Sequence, residues 1–280
     1  MTSASPAVTA IALASGALAS GAQTPGAHCD VQVEAGGTFL QDAVAKATTG
    51  NRLCLAPGIH KGGFALDKSL TVAGVAGSII EGSGRGSVLR IEDDGLAIRL
   101  EGLTIRGGNA DAGGGLAIHG RGKVTIADCT FAANKAGMVG GGGLFARGGL
   151  LQLERCTFDG NDGRQGGAVL LAQALKAEFT RCTFTGNRGE QAGAIRATEG
   201  IELALKACSF VGSSGQDGAV LRISGTKSRK PKISLDHCTI DAGTLINGPA
   251  IAGEISARNS TLPQSWKTAA LDDRGHNTWK

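Results

Sequence analysis

Cys156-Thr157-Phe158-Asp159-Gly160-Asn161-Asp162-Gly163-Arg164-Gln165-Gly166-Gly167-Ala168-Val169 is the stretch that decides the fold, because its pieces return in the same order along the chain. The Cys-Thr-Phe element recurs as Cys129-Thr130-Phe131, Cys182-Thr183-Phe184, Cys208-Ser209-Phe210 and Cys238-Thr239-Ile240, with cysteine spacings of 27, 26, 26 and 30 residues. Five residues after the first three cysteines stand Asn134, Asn161 and Asn187, and Ser213 takes the fourth place. The Gly-Gly element recurs as Gly142-Gly143-Leu144-Phe145, Ala192-Gly193-Ala194-Ile195 and Asp217-Gly218-Ala219-Val220. An earlier copy, Gly114-Gly115-Leu116-Ala117, goes with Leu103-Thr104-Ile105 and Asn109. A period of this length marks a stacked repeat, in which each unit buries its apolar face only against its neighbours. The long last interval holds the run Lys227-Ser228-Arg229-Lys230-Pro231-Lys232, which reads as a solvated loop inserted between strands.

The repeat unit is built of strands. Its apolar segments are three to five residues long and separated by glycines, each of which would destabilise a helix by about 1 kcal/mol. Val124, Ile126, Cys129 and Phe131 share one face when a bend separates Ile126 from Cys129. Three short strands and three turns in 26 residues predict an all-β parallel β-helix, a solenoid whose equivalent residues stack about 4.8 Å apart. Cys129, Cys156, Cys182, Cys208 and Cys238 then form one internal ladder, the Phe residues two positions later another, and Asn134, Asn161 and Asn187 a third at a tight turn. Amides in such a column bond their own copies and the unpaired backbone of the turn, so the Asn ladder is read as structural.

The flanks are less regular. Leu53-Cys54-Leu55, Leu70-Thr71-Val72, Ile79-Ile80, Val88 to Ile91 and Ala97 to Leu100 read as strands of earlier coils. Phe39, Leu40, Ala43, Val44 and Ala47 have helical period, with Thr38 as N-cap; this short helix is expected to cap the open first coil. Ile251, Ile255, Leu262, Trp266 and Leu271 are expected to close the other end. The chain is thus divided into a leader or disordered tail (1–28), a β-helix domain (29–271) and a polar tail (272–280). Residues 7–22 are apolar but rich in Ala, Ser and Gly: too weak for a membrane span, and similar to a secretory leader in its small-residue ends, though without a basic start. No transmembrane span is expected, and a secreted, periplasmic or cell-surface location is.

Two family resemblances follow from these motifs. The alternation of Phe131 to Asn134, Phe158 to Asn161 and Phe184 to Asn187 with Gly166 to Val169 resembles the repeats of chlamydial-type polymorphic outer membrane proteins. That resemblance covers about residues 102 to 222 and implies a surface-exposed β-helical passenger associated with adhesion. The helix at Leu40 to Lys46, Leu55-Ala56-Pro57-Gly58-Ile59-His60, Lys68-Ser69-Leu70-Thr71-Val72 and Leu103-Thr104-Ile105-Arg106-Gly107 are similar to the opening of pectin-lyase-like right-handed β-helices. It implies a right-handed coil, and a fold shared by lyases, hydrolases, epimerases, adhesins and noncatalytic proteins.

Composition narrows the chemistry. The 280 residues carry 46 Gly and only 10 aromatic residues, so a large aromatic-lined pocket is not expected. The formal charge of +4 is mixed along the chain and gives no clustered basic stripe, so nucleic acid is not an expected partner. Cysteines one coil apart on one column do not surround an ion tetrahedrally; they are expected as buried free thiols, with no metal and no cofactor. Cys29 and Cys54 flank the capping helix and are the expected disulfide of an exported protein. His237 precedes Cys238 on the opposite face, and His60 and His119 have no partner readable from spacing.

Candidate ligand contacts are therefore expected on the outer surface. Arg155 and Arg181, each preceding a ladder cysteine, are expected side by side, and Arg147, Arg196 and Arg222 follow other strands in differing registers. Guanidinium forks in such rows suit an acidic polysaccharide. Gln165, Gln191 and Gln216, spaced by 26 and 25 residues, form a further column, either glycan-binding or a polar ladder. Glu154 and Asp236 hold equivalent positions, but Thr180 and Lys206 fall between them, leaving no defined pair for acid–base work. The expected function is an exported noncatalytic surface or adhesion scaffold that binds a glycan or cell-surface receptor. The alternative is a polysaccharide lyase, hydrolase or epimerase using the outer coil face.

Overall fold

The computed structural model describes residues 28–173, 175–215, 219–247, 253–268 and 271–280. Among them the chain winds into a parallel β-solenoid of about eight turns with three long sheets. Sheet 1 runs in eleven strands from Val31–Val33 to Leu271–Asp273, sheet 2 in ten from Gly58–Lys61 to Thr278–Trp279, and sheet 3 in eight from Phe64–Ala65 to Thr244–Asn247. A short three-stranded ladder joins Asn109–Ala110, Lys135–Ala136 and Asp162–Gly163.

One coil shows why the sequence closes. Leu150–Glu154 lies in sheet 1 with Leu151 and Leu153 buried. Arg155 then adopts φ 51° and turns the chain, so that Cys156 points inward and Thr157–Asp159 continues in sheet 2. Gly160, at φ 57°, and Asn161 make the next corner, and Val169–Ala172 forms the sheet 3 strand. Left-handed residues at the first corner recur as Gly102, Asp128, Arg155, Arg181, Ala207, His237 and Asn259, always followed by the inward residue. The corner between sheets 1 and 2 is thus two residues in every one of these coils, whereas the sheet 3 to sheet 1 corner ranges from residues 148–149 to residues 224–231.

The ladders fall where the spacing places them. Thr130, Thr157 and Thr183 pair in register, as do Phe131, Phe158 and Phe184, and all five ladder thiols are free and buried. Phe131, Phe158, Phe184 and Phe210 stack nearly parallel with centroids 4.6 to 5.0 Å apart. The thiols serve the bend: the S–H of Cys129 donates to the carbonyl of Ala127 at 3.2 Å, that of Cys208 to Phe179 at 3.3 Å, and that of Cys238 to Leu205 at 3.4 Å. Ser260 takes over the position in the last coil and donates to Arg258 at 2.8 Å. Burial holds the Cys129 thiol well above its usual range.

Four expectations need correction. Asn109 is not a rung of the Asn column; it pairs with Lys135, and Gly108 holds the ladder position, donating its N–H to Asn134 Oδ1 at 3.1 Å. Phe39 is 53% exposed although Leu40, Val44 and Ala47 are buried. Thr38 turns its hydroxyl to the Asp42 carboxylate at 2.9 Å instead of capping backbone N–H groups. Residues 272–280 are not a tail: Leu271–Asp273 extends sheet 1 and Thr278–Trp279 extends sheet 2. At the two ends, helix α1 (Phe39–Lys46) packs on the strands Val31–Val33, Arg52–Leu55 and Gly58–Lys61, and Trp266 is fully buried, its indole N–H donating to Gly243 at 3.1 Å. The Cys29–Cys54 disulfide ties the segment before the first strand to the second coil. Residues 1–27 of the expected leader, Ile251 and Gln216 lie outside the described residues.

Candidate functional site

Outward side chains on a coil are stacked by the same register as the core, so adjacent rungs decide which charges meet. At the corner of sheets 1 and 2, Arg155 and Arg181 follow one another as expected, but neither is a free cation. Arg155 grips the Asp128 carboxylate through two bonds of 2.6 and 2.8 Å and also bonds Glu154, while Arg181 reaches Glu154 at 3.5 Å. The Arg155 bond, outweighing partial burial, holds the Asp128 carboxyl below the usual range. On the outer face of sheet 1, Glu101 is enclosed similarly. Burial alone would raise its pKa, and the guanidiniums of Arg99 and Arg52, the latter at 2.6 Å, more than reverse that.

Gln165 and Gln191 stand at the other side of the coil, at the turn leading into sheet 3. Gln165 Nε2 donates to the Met138 carbonyl at 3.1 Å, and the buried Gln191 Oε1 accepts nothing. The structure therefore separates the expected glutamines from the expected arginines, which sit at different corners of the coil.

Sheet 3 brings together a set that the sequence left scattered. Its outward column runs Arg90, Ala117, Phe145, Leu170, Arg196, Arg222. Arg196 and Arg222 are direct register partners on neighbouring strands, about 4.8 Å apart along the axis. Arg147 is out of line with them, opposite Ala172. Neither Arg196 nor Arg222 has a carboxylate partner among the described residues. Arg196 touches Ser224 Oγ at 3.5 Å, and its Nε is buried without a hydrogen bond. Burial, and then the charge of Arg222, hold the Arg196 guanidinium below its ordinary pKa. The signal was present in the sequence: these two arginines are separated by 26 residues, one full period.

Beside this column, at the corner leading to sheet 1, lies a polar groove of about 820 Å³. Glu92, Asp93, Asp94 and Glu199 line it with Arg121, Arg147 and Arg229, and His119 packs on Phe145 with centroids 5.1 Å apart. Arg147 Nε donates to the His119 carbonyl at 3.3 Å, which fixes it along the groove wall. Among the described residues no group of three or more His, Cys, Asp and Glu side chains is arranged to hold a metal ion, and no helix is long and apolar enough to cross a membrane.

The fold and this outer face define a class, the single-chain parallel β-helices. Within it, the chain matches the family described as right handed beta helix region over residues 68–262, and it belongs to that family. Similar solved structures include a pectin methylesterase from Aspergillus niger, 12% identical over 90% of this chain and 91% of that one with a TM-score of 0.60. Pectin methylesterase from carrot is 10% identical over 92% and 90%, with a TM-score of 0.62. The PL6 family alginate lyase AlyGC is 15% identical over 89% of this chain but 39% of that one, with a TM-score of 0.56. At these identities the likeness is one of fold. No curated protein matches the chain in sequence.

Proposed function

We propose that the protein is an exported surface or adhesion scaffold that holds an acidic polysaccharide along the outer face of sheet 3. The observation that carries this reading is the in-register pair Arg196 and Arg222, two half-buried guanidiniums one rung apart that have no carboxylate partner among the described residues. Like charges at that spacing repel, and an anionic group bridging them removes the repulsion while giving two charge-assisted hydrogen bonds. Carboxylate or sulfate groups on a linear glycan meet that demand, and a rigid coil holds the two guanidiniums at a fixed spacing for them. The Phe-x-x-Asn and Gly-Gly alternation, similar to that of surface adhesins, and fold neighbours named for pectin and alginate support the same reading. The disulfide Cys29–Cys54 supports export.

A second reading rests on the groove beside that column. His119 and the carboxylates of Glu92, Asp93, Asp94 and Glu199 supply titratable groups for a lyase, hydrolase or epimerase acting on the same polymer.

Binding to polygalacturonate, alginate and heparin at low and high salt tests the proposal. The variant Arg196→Gln/Arg222→Gln is expected to weaken binding by about tenfold or more, and Arg155→Gln/Arg181→Gln, whose charges are already paired, by less than about threefold. Absence of binding to all three at low salt, or equal loss in both variants, overturns it. Appearance of unsaturated or newly reducing ends selects the second reading.

A further inference from the structure

The outer face of sheet 1 carries a pattern that the glycan reading does not use. Over the later coils its three outward columns are in strict register. The first reads Lys176, Glu202, Lys232, Glu254; the second Glu178, Ala204, Ser234, Ser256; the third Thr180, Lys206, Asp236, Arg258. The small residues floor a shallow trough of about 740 Å³ rimmed by the first column, and the third column lines an adjoining hollow of about 200 Å³. Lys206 of the third column pairs with Glu178 of the second at 2.5 Å, Lys232 with Glu254 within the first at 4.0 Å, and Arg258 with Asp236 within the third at 2.7 Å. Lys176, Glu202, Lys232 and Glu254 are all exposed.

We infer that this face is a self-association surface whose occupant is a second copy of the same chain. The face complements itself in charge under two-fold symmetry. Face-to-face packing about a two-fold axis parallel to the strands keeps each column opposite itself and reverses the order of the coils. Centred between the coils of Glu202 and Lys232, that operation sets Lys176 against Glu254 and Glu202 against Lys232. It also sets Lys206 against Asp236, Ala204 against Ser234 and Glu178 against Ser256. One coil further out, Arg274, which follows the Asp273 partner of Ala257, comes opposite Glu154. Every charge opposed to another charge across this axis has the opposite sign. The other face-to-face dimer, with its axis along the coil, keeps the order of the coils and places Glu178 against its own copy. That second arrangement also sets Glu202 against Lys206, Lys232 against Asp236 and Glu254 against Arg258, so the two differ at Glu178, which meets the neutral Ser256 in the first and its own copy in the second.

Six coils at about 4.8 Å and strands of five residues give a footprint of about 29 by 17 Å, or about 1,000 Å² over both partners, the size of a weak, transient interface, with two facing troughs left hydrated. A reversible, salt-sensitive dimer follows, since its contacts are rim ion pairs.

Sedimentation of the full chain across a hundredfold concentration range, at about 20 and 300 mM salt, is the test. The expected result is a monomer–dimer equilibrium that weakens in salt. Lys232→Glu opposes carboxylates at two symmetry-related places and is expected to weaken dimerisation about tenfold or more. The double exchange Glu202→Lys/Lys232→Glu restores it, and Arg196→Gln/Arg222→Gln on sheet 3 leaves it unchanged. Thermal midpoints confirm that each variant is folded. A chain monomeric at all concentrations, a dimer indifferent to Lys232→Glu, or one lost with the sheet 3 variant overturns the inference. Glycan binding is measured separately on the same preparations, so the two proposals stand or fall apart.

Discussion

The amide of Asn161 shows how one residue carries a corner. Its Nδ2 donates to the Phe131 carbonyl at 2.8 Å and to Asn187 Oδ1 at 3.0 Å, and its Oδ1 accepts from the backbone N–H and the amide of Asn134 at 3.1 Å. All of these groups are buried, so Asn161→Ala leaves a carbonyl and a backbone N–H without partners. A loss of about 3 kcal/mol in urea unfolding is expected. Ser213 ends the column with longer bonds of 3.3 and 3.4 Å to Asn187, and Ser213→Ala is expected to lose about 1 kcal/mol. The surface pair Arg155 and Asp128 gives a different kind of prediction. Because the bond lowers the folded-state pKa of Asp128, its contribution is full above the unfolded value of about 3.9 and is lost as pH falls through the lower folded value. Both side chains are about half exposed, which limits the effect to about 1 kcal/mol at most. The thermal midpoint of Arg155→Gln is therefore expected slightly below that of the parent at pH 6, with the gap closing as pH falls below about 4.

Helix α1 acts at the scale of the element. A coil stack ends in an apolar cross-section and unpaired strand edges, and Leu40 and Val44 cover the first of these. Leu40→Ala is expected to lower stability by about 2 to 4 kcal/mol in urea unfolding, and Phe39→Ala, on the solvent side, by less than about 0.5 kcal/mol. At the far end the five-residue 3-10 turn Gln264–Thr268 seats Trp266 in the equivalent role. The strands between are individually too short to persist alone. Their order comes from pairing with copies one period away, which is why residues two to five long hold a continuous sheet.

Across the whole molecule, the parts of the structure written in repeats were legible and the parts written once were not. Cys129 to Cys238, Phe131 to Phe210 and Asn134 to Asn187 announce their neighbours because a period of 26 residues is itself a distance. Asn109 misled because a glycine occupies the ladder position just before it, a shift of one residue that pattern alone does not resolve. The strands Leu271–Asp273 and Thr278–Trp279 pair through their backbones while exposing polar side chains, so composition disguised them as a tail. The pairing of Arg155 with Asp128 is a cross-rung contact, visible only when residues 27 apart are compared column by column. The unequal corners of the coil have a further consequence. In the seven coils from Ala97 to Leu262 two residues join sheets 1 and 2, with the second sealed inside, and that corner lengthens only nearer the ends, to residues 75–77 and 274–277. The opposite ridge already accommodates eight residues at 224–231, directly after the strand that bears Arg222. Variation in length thus falls at both ends of the sheet 3 strands, where the corner from sheet 2 runs from residues 62–63 to residues 133–143, so the loops bordering the arginine row can change while the spool beneath stays the same.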